Sequence, residues 1–387
     1  MAIKPANSLA IPPTALIQTL AARTEGTAPG PEAMTAKIPV TRYTSSRHLE
    51  NERSTLFQAR PIIIGHQTQI PEPGDTLAYD WLGLPLVTMR DKTGAIGTFM
   101  NVCRHRGMRL VQNEGFQQLK SLVCPYHNWT YGLDGELRNI PRDESFENLD
   151  AGQHNLVAIQ TVVRNGLIWI QLEGSLNIDQ HLAGLGEDLE TFDMSALHFS
   201  QQHVRTIDCN WKLVQDAFLD GYHVTRLHKN TVGPFFPDAV AESDNLGDHI
   251  RSAVARNEIT EAISQPAETL NLRRVATFSY TVFPNAVLIF HPEYTSIISL
   301  FPLSPDKTIF AHTMLTPAPP KSDEERDHFL RSFELIDGGV FQAEDIFVSE
   351  GAQRGMKSGA NTHLTFGGLE ESAVRFHKII ERELAEK

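Results

Sequence analysis

Two short stretches, Cys103-Arg-His105 and Cys124-Pro-Tyr-His127, constrain this chain more than any other feature, because each offers one thiol and one imidazole from a single tight loop. Eighteen residues separate His105 from Cys124, so the two loops can close around one metal centre. Gly107 and Asn128, each just beyond a pair, are residue types that accept the left-handed backbone a sharp turn demands. Three readings of the quartet stand side by side: unpaired buried side chains, a structural zinc, and a 2Fe-2S cluster with thiolates on one iron and imidazoles on the other. Zinc knuckles normally pair Cys with Cys and His with His, whereas here each loop brings one of each. The mixed pairing matches the cluster.

Around these loops the chain alternates short apolar runs with Gly, Pro and Asp from about Arg42 to Leu172, which predicts a small antiparallel β domain. Residues 1–41 form a Pro- and Ala-rich arm, with one short helix expected near Thr14 to Arg23, packing on the larger C-terminal domain. From 173 to 387 the pattern turns to α+β. Helical spacing appears in HLAGLGEDLETF and from Trp211 to Leu227, strand runs in VATFSYTVF, AVLIFH, TSIISLFPL and TIFAHTML, and a closing helix from Glu371 to Glu386. The net charge of -13 argues against a nucleic-acid partner. No run of residues is long and apolar enough to span a bilayer, no export signal is readable, and only three cysteines occur, the third being Cys209. A cytoplasmic protein is expected.

Within the larger segment, Trp211, Val214, Phe218 and Tyr222 mark one helical stripe and Asp216, Asp220 and His223 another. His223 and His228 are five apart, about 140° around an ideal helix, so bringing both to one ion requires a π-type widening or a helix end. Gly221 makes a distortion there less costly. Near the C-terminus, Phe341-Gln-Ala-Glu344-Asp345 and the following Glu350 place three acids within ten residues.

CRHRG and CPYHNW, with NWK followed by Asp220-Gly-Tyr-His223 and His228, resemble the Rieske non-haem iron ring-hydroxylating oxygenases, in particular their large (alpha) oxygenase subunit. The segment between the loops is slightly long for that family, and Asn128 stands where a Gly is usual. The resemblance covers roughly residues 42–387. It implies an all-β Rieske domain with a 2Fe-2S cluster on Cys103, His105, Cys124 and His127, then an α+β catalytic domain of helix-grip type with an antiparallel sheet. There a mononuclear Fe(II) would be held by His223, His228 and Asp345, with Glu344 the second candidate for the carboxylate. By the same resemblance Asp220 is the bridging carboxylate between an iron-ligand histidine and a cluster histidine of a neighbouring subunit, and a trimer follows. Asp216 lies where relatives carry Glu or Asn, and its role stays open, as does that of Glu350.

The expected activity is that of a terminal oxygenase, taking electrons from a separate ferredoxin or flavin reductase and using O2 to hydroxylate an aromatic or related small substrate, as in aromatic hydrocarbon catabolism. The alternative is monooxygenation with demethylation, or attack on a non-aromatic substrate such as a quaternary ammonium compound. A separate reductase is expected because the chain has no GxGxxG or flavin motif. A bare electron carrier would leave the larger segment unused, and a zinc module would be colourless. The alternation in FSYTVF can send half of Phe278, Tyr280, Phe283, Phe290, Tyr294 and Phe301 into an apolar slot, although aromatics at period two are more often core. Phe290, Tyr294 and Phe301 lie on neighbouring runs, and Arg273, Arg274, Asn285 and His291 are candidates to meet a substrate carboxylate.

Overall fold

The computed structural model describes residues 13–262 and 270–385. Apolar alternation in the first domain yields a seven-stranded antiparallel sheet in the order Ile62–His66, Leu167–Gln171, Ala158–Arg164, Ile96–Met100, Leu84–Arg90, Asp75–Trp81, Gly115–Gln118. A separate three-stranded sheet, Leu122–Val123, Thr130–Tyr131 and Leu137–Asn139, carries the second Cys-His loop. The second domain is built on another seven-stranded antiparallel sheet, ordered His198–Ile207, Lys307–Thr316, Thr295–Ser304, Ala286–Phe290, Ala276–Val282, His249–Ala255, Ala241–Leu246. Its last four runs in sequence are those expected from apolar patterning. The closing helix, Glu371–Ala385, buries Phe376, Ile379 and Ile380. The fold is therefore an all-β domain followed by an antiparallel α+β domain.

The arm is tied down at two places. Its helix, Pro13–Thr24, buries Leu16, Ile17 and Leu20 over Ala241–Leu246 and His249–Ala255, and Thr35–Pro39 pairs with His363–Gly367 near the C-terminus.

A continuous apolar core joins the domains, with Ile62, Ile64 and Trp81 packed in one cluster with Ile298, Phe301 and Phe310. Trp81 stacks on Phe301 at 4.3 Å between ring centroids. Asn285, expected as a candidate for substrate contact, is instead buried in this junction. Its amide donates to the Ile63 carbonyl and its oxygen accepts the Ile63 N–H, both at 2.9 Å.

Three charged and aromatic groups lock the helix Trp211–Phe218 of the second domain to the residues preceding the first sheet. Glu52 accepts from the Lys212 ammonium at 2.6 and 2.8 Å and from the Trp211 indole at 2.9 Å. Both Glu52 and Lys212 are fully buried. Burial alone would raise the Glu52 carboxyl, but Lys212 and His48 outweigh it and hold its pKa below the usual value.

Removing one member of a buried pair strands the other charge, so Lys212→Ala should cost about 3–5 kcal/mol in denaturant unfolding. Because the folded-state pKa of Glu52 is depressed, its contribution is complete above the ordinary carboxylate pKa and is lost as pH falls through the lower folded value. Glu52→Gln should remove that acid-side slope from the stability profile. An unchanged slope would show that the pair does not set it.

Candidate metal centres

The two Cys-His loops close in the same way. Cys103 N donates to Met108 O at 2.8 Å and Gly107 N to Cys103 O at 3.0 Å; Cys124 N donates to Trp129 O and Asn128 N to Cys124 O, both at 2.9 Å. Each closure needs positive φ at the residue after the ligand pair, and Gly107 at 77° and Asn128 at 59° supply it. Asn128 thus takes the conformation for which Gly is usual. The two cysteines are buried and free.

The imidazoles sit further out, His105 partly exposed and His127 exposed, with ring centroids 4.7 Å apart. His105 lies flat on Trp129 at 4.8 Å, and Tyr126 stacks on His127 at 3.8 Å. The Tyr131 hydroxyl lies 3.4 Å from Cys103 Sγ and accepts the Arg104 N–H at 2.9 Å. Trp129 and Tyr131 are supporting residues that the ligand motif alone does not announce. Burial raises the pKa of the Cys103 thiol, a shift that a metal would reverse.

The second centre forms where a helix stops. The continuous helix expected from Trp211 to Leu227 is absent: Trp211–Phe218 ends, residues 219–223 form an irregular link, and Val224–Leu227 makes a single turn. Tyr222 consequently leaves the buried stripe and is exposed. Gly221 has a steric role in this link, since a Cβ there would lie 2.8 Å from that of Ala241.

The break lets both imidazoles face one carboxylate, with His223 Nε2 3.7 Å and His228 Nε2 3.4 Å from Asp345 Oδ1. Among the described residues, this is the group in which three donor atoms lie within 4.8 Å of one another.

Asp345 and Glu344 lie on a long π-helix, Glu334–Ile346, which faces the two histidines, and these converge through the helix end that their spacing calls for. Glu344 accepts from His228 Nδ1 and from the Thr231 hydroxyl, both at 2.7 Å. A proton held on Nδ1 leaves the Nε2 lone pair directed at Asp345. The sequence weighed Glu344 as a ligand and missed this orienting contact, because the π-helix turns two adjacent acids toward the same imidazole.

Asp220 Oδ2 lies 3.4 Å from His223 Nδ1. Burial disfavours the charged His223 ring, but Asp220 and Asp345 prevail and raise its pKa. Burial lifts the Asp345 carboxyl to about 6 against the pull of both histidines. Asp345 Oδ1 is buried without a hydrogen-bond partner among the described residues. A metal ion is the group that would satisfy it, so the residues present fit a mononuclear iron.

Asp216 is not part of this cluster. It accepts from the Tyr43 hydroxyl at 2.7 Å and contacts His377 Nε2 at 3.0 Å, tying its helix to the short helix Thr41–Thr44 and to the closing helix. Glu350 is likewise structural, its carboxylate accepting the Asp208 N–H at 3.0 Å.

The group of His223, His228 and Asp345 opens on a cavity of about 470 Å³. Phe218, Val232, Phe236, Val340 and Phe341 supply apolar walls, and Ser243, Ser252, Thr277 and Ser279 a polar one. Phe278, Tyr280 and Phe290 point the other way, into a core shared with Phe192, while Phe283 and Phe301 are buried in the main core. Tyr294 is packed against that main core too. None of these aromatics lines the cavity, nor do Arg273, Arg274, Asn285 or His291.

A protein with a Cys2His2 loop pair in one domain and a His-His-Asp group beside a cavity in the next belongs to a class that joins an electron-transfer cluster to an iron active site. Comparison with known proteins agrees. Residues 60–158 match the model of the Rieske [2Fe-2S] domain, and residues 194–386 that of the ring-hydroxylating alpha subunit catalytic domain. The chain is 24% identical over 330 residues to the carnitine monooxygenase oxygenase subunit of Acinetobacter baumannii, covering 83% of this chain and 85% of the relative. It is 28% identical over 352 residues to the biphenyl 2,3-dioxygenase alpha subunit of Rhodococcus jostii, covering 78% and 74%. The crystal structure of the quaternary ammonium Rieske monooxygenase CntA superposes with a TM-score of 0.78 at 21% identity, over 90% of this chain and 95% of that one. The chain belongs to the Rieske non-haem iron oxygenases, enzymes that carry a 2Fe-2S cluster and a mononuclear iron. Among the described residues, no helix is long and apolar enough to cross a membrane.

The close approach at Gly221 is testable. Gly221→Ala should destabilise the protein by about 1–3 kcal/mol through overpacking, and adding Ala241→Gly should restore most of the loss in thermal unfolding. No rescue would mean that the contact with Ala241 is not the constraint.

Proposed function

We propose that this chain is the terminal oxygenase of a multicomponent system, taking electrons from a separate ferredoxin or flavin reductase and hydroxylating a small organic molecule held in the 470 Å³ cavity. The observation that carries this reading is the convergence of His223 Nε2, His228 Nε2 and the unpartnered Asp345 Oδ1 on the wall of that cavity. These three would hold the mononuclear iron, and Cys103, Cys124, His105 and His127 the cluster. When bound, the cluster supplies single-electron transfer and the ferrous ion supplies chemistry with O2.

The chain's own residues do the rest. Glu344 fixes the proton of His228 on Nδ1, and Asp220 holds His223 from the opposite side. Phe218, Val340 and Phe341 exclude water and position an apolar substrate group beside the ligands.

The cavity favours an aromatic or other neutral substrate group. Among its lining residues Arg23 is the one Arg or Lys, and it is paired with Glu242 at 2.7 Å, so a substrate carboxylate meets no unpaired cation there. A quaternary ammonium substrate is the second reading, supported by the exposed acids Glu32 and Glu371 at the lining and by what the carnitine relative and CntA are named for. Its weakness is the cage: phenylalanines line the cavity, but neither Trp nor Tyr does. A cytoplasmic location is consistent with the unpaired cysteines.

A homotrimer in which Asp220 bridges to a partner's cluster is supported by the position of both ends at the surface, the Asp220 side chain being 18% exposed and His127 exposed. Asp220→Asn should then keep both metal centres and the assembly but stop a prereduced cluster from delivering electrons in a single turnover with substrate and O2. Reoxidation at the parental rate would remove the bridging role.

Metal content tests the ligand assignment. The anaerobically purified protein should hold about three irons per chain. His127→Ala should lose the cluster absorbance and rhombic EPR signal; His228→Ala and Asp345→Ala should lose only the mononuclear iron. Glu344→Gln should weaken that site about 10–100-fold without emptying it at high iron. With a reductase and 18O2, a substrate panel spanning arenes and quaternary amines should give a labelled alcohol or diol, or C–N cleavage products. Absence of substrate-dependent O2 uptake by fully metallated, reduced protein would defeat the oxygenase reading.

A further inference from the structure

The strand Ala276–Val282 divides its side chains cleanly. Ala276, Phe278 and Tyr280 enter the core, whereas Thr277 and Ser279 emerge on the other face and line the cavity. The neighbouring strands continue this polar face in register. Ser279 stands opposite Ser252, Ser252 opposite Ser243, and Thr277 opposite Val254. Three serines therefore lie abreast on adjacent strands, spaced about 4.8 Å apart, with Thr277 one pleat repeat away.

Their hydrogen bonds are incomplete. Ser243 accepts from the Arg375 guanidinium, reaching across from the closing helix. Ser252 Oγ and Thr277 Oγ1 are buried, and neither has a hydrogen-bond partner among the described residues. Both residues belong to the cavity wall, and a turn about χ1 is what would bring each closed-off hydroxyl to the space a ligand would fill. Native interiors rarely leave hydroxyls unsatisfied. Alanine or valine would fill these positions without that cost.

We propose that Ser252 and Thr277, flanked by Ser243 and Ser279, form a hydrogen-bonding subsite for a neutral oxygen function of the substrate, a hydroxyl, carbonyl or amide, while the substrate's apolar end lies against Phe218, Val340 and Phe341 beside the metal ligands. The assignment rests on the reading of this cavity as the substrate site. A hydroxyl both donates and accepts, so either polarity of partner can be matched. The bound function is neutral because the one Arg or Lys lining the cavity, Arg23, is already paired with Glu242. A subsite of this kind selects against analogues that lack the oxygen, since they leave its buried polar groups unpaired.

The test uses matched probes that differ by one hydroxyl: 4-phenylphenol against biphenyl, and choline against ethyltrimethylammonium. Affinities are measured by calorimetry on the anaerobic, fully metallated full-length protein. In the parent, the oxygenated member of at least one pair should bind about tenfold more tightly. The double variant Ser252→Ala/Thr277→Val should bring that ratio to about one without weakening the plain member. Thr277→Ser, which keeps the hydroxyl, should retain the preference, and all variants should melt close to the parent. Equal affinities in the parent, a ratio unchanged in the double variant, or no binding by either pair would each overturn the subsite. A lowered melting temperature with an unchanged ratio would do so as well, showing that the hydroxyls serve the fold. Failure of the oxygenase reading would be seen separately, as absence of substrate-driven O2 uptake across the wider panel.

Discussion

The buried contact of Glu52 with Lys212 and Trp211 fixes where everything else can go. It joins the residues ahead of the first sheet to the first turn of the helix that leads to His223 and His228. A charge pair in the interior gains little net stability over a hydrophobic equivalent, but it is intolerant of displacement, because shifting either partner strands a charge. The Lys212 ammonium also lies 5.1 Å from the Trp211 ring centroid and 5.6 Å from that of Tyr43. Tyr43 in turn bonds Asp216 later in the same helix. The helix is thus pinned along its length, and the irregular link after Phe218 starts from a fixed point.

A second anchoring network holds the opposing wall. Asp337, in the first turns of the π-helix, contacts His203 Nδ1 at 2.8 Å and His312 Nδ1 at 3.0 Å and accepts from Arg205. Burial opposes its ionisation, yet these partners hold its carboxyl at about 2. His203, Arg205 and His312 all project from the central sheet, so Asp337 sets the π-helix against two adjacent strands. Two turns further along, the same helix presents Glu344 and Asp345. Their placement against His228 depends on both anchors.

Much of this was legible in the chain. The two Cys-His loops carry their chemistry in contiguous residues, and the left-handed positions at Gly107 and Asn128 followed from residue type alone. The apolar strands from Ala276 to Thr316 appeared where their patterning placed them. The polar edge strand Ala241–Leu246 did not stand out, because its sequence AESDNL lacks the apolar alternation by which half-buried strands are recognised. The aromatics of the pocket-lining strand are core, the reading that period two favours. Alternation in ATFSYTV separates two faces without saying which faces the cavity, and the larger aromatic set won the core. Asp216 and Glu344 were out of reach because their partners, Tyr43 and His377 for one and Thr231 and His228 for the other, are distant in sequence or set by the π-helix.

The charge balance of the second centre explains why its acids are so tightly held. Asp220, Glu344 and Asp345 all approach the two imidazoles, and Asp345 is almost wholly buried. Neutral histidines cannot offset three carboxylates in such a place, and protonating both rings would abolish the lone pairs that face Asp345. A divalent cation would resolve the conflict: His223, His228 and Asp345 would hold it, with Asp220 and Glu344 beside the outer ring nitrogens. The outer acids then have two functions in one geometry. Glu344 fixes which nitrogen of the His228 ring is presented, and both acids would make the imidazoles more basic, so the same carboxylates that crowd the two histidines would favour them as a metal site.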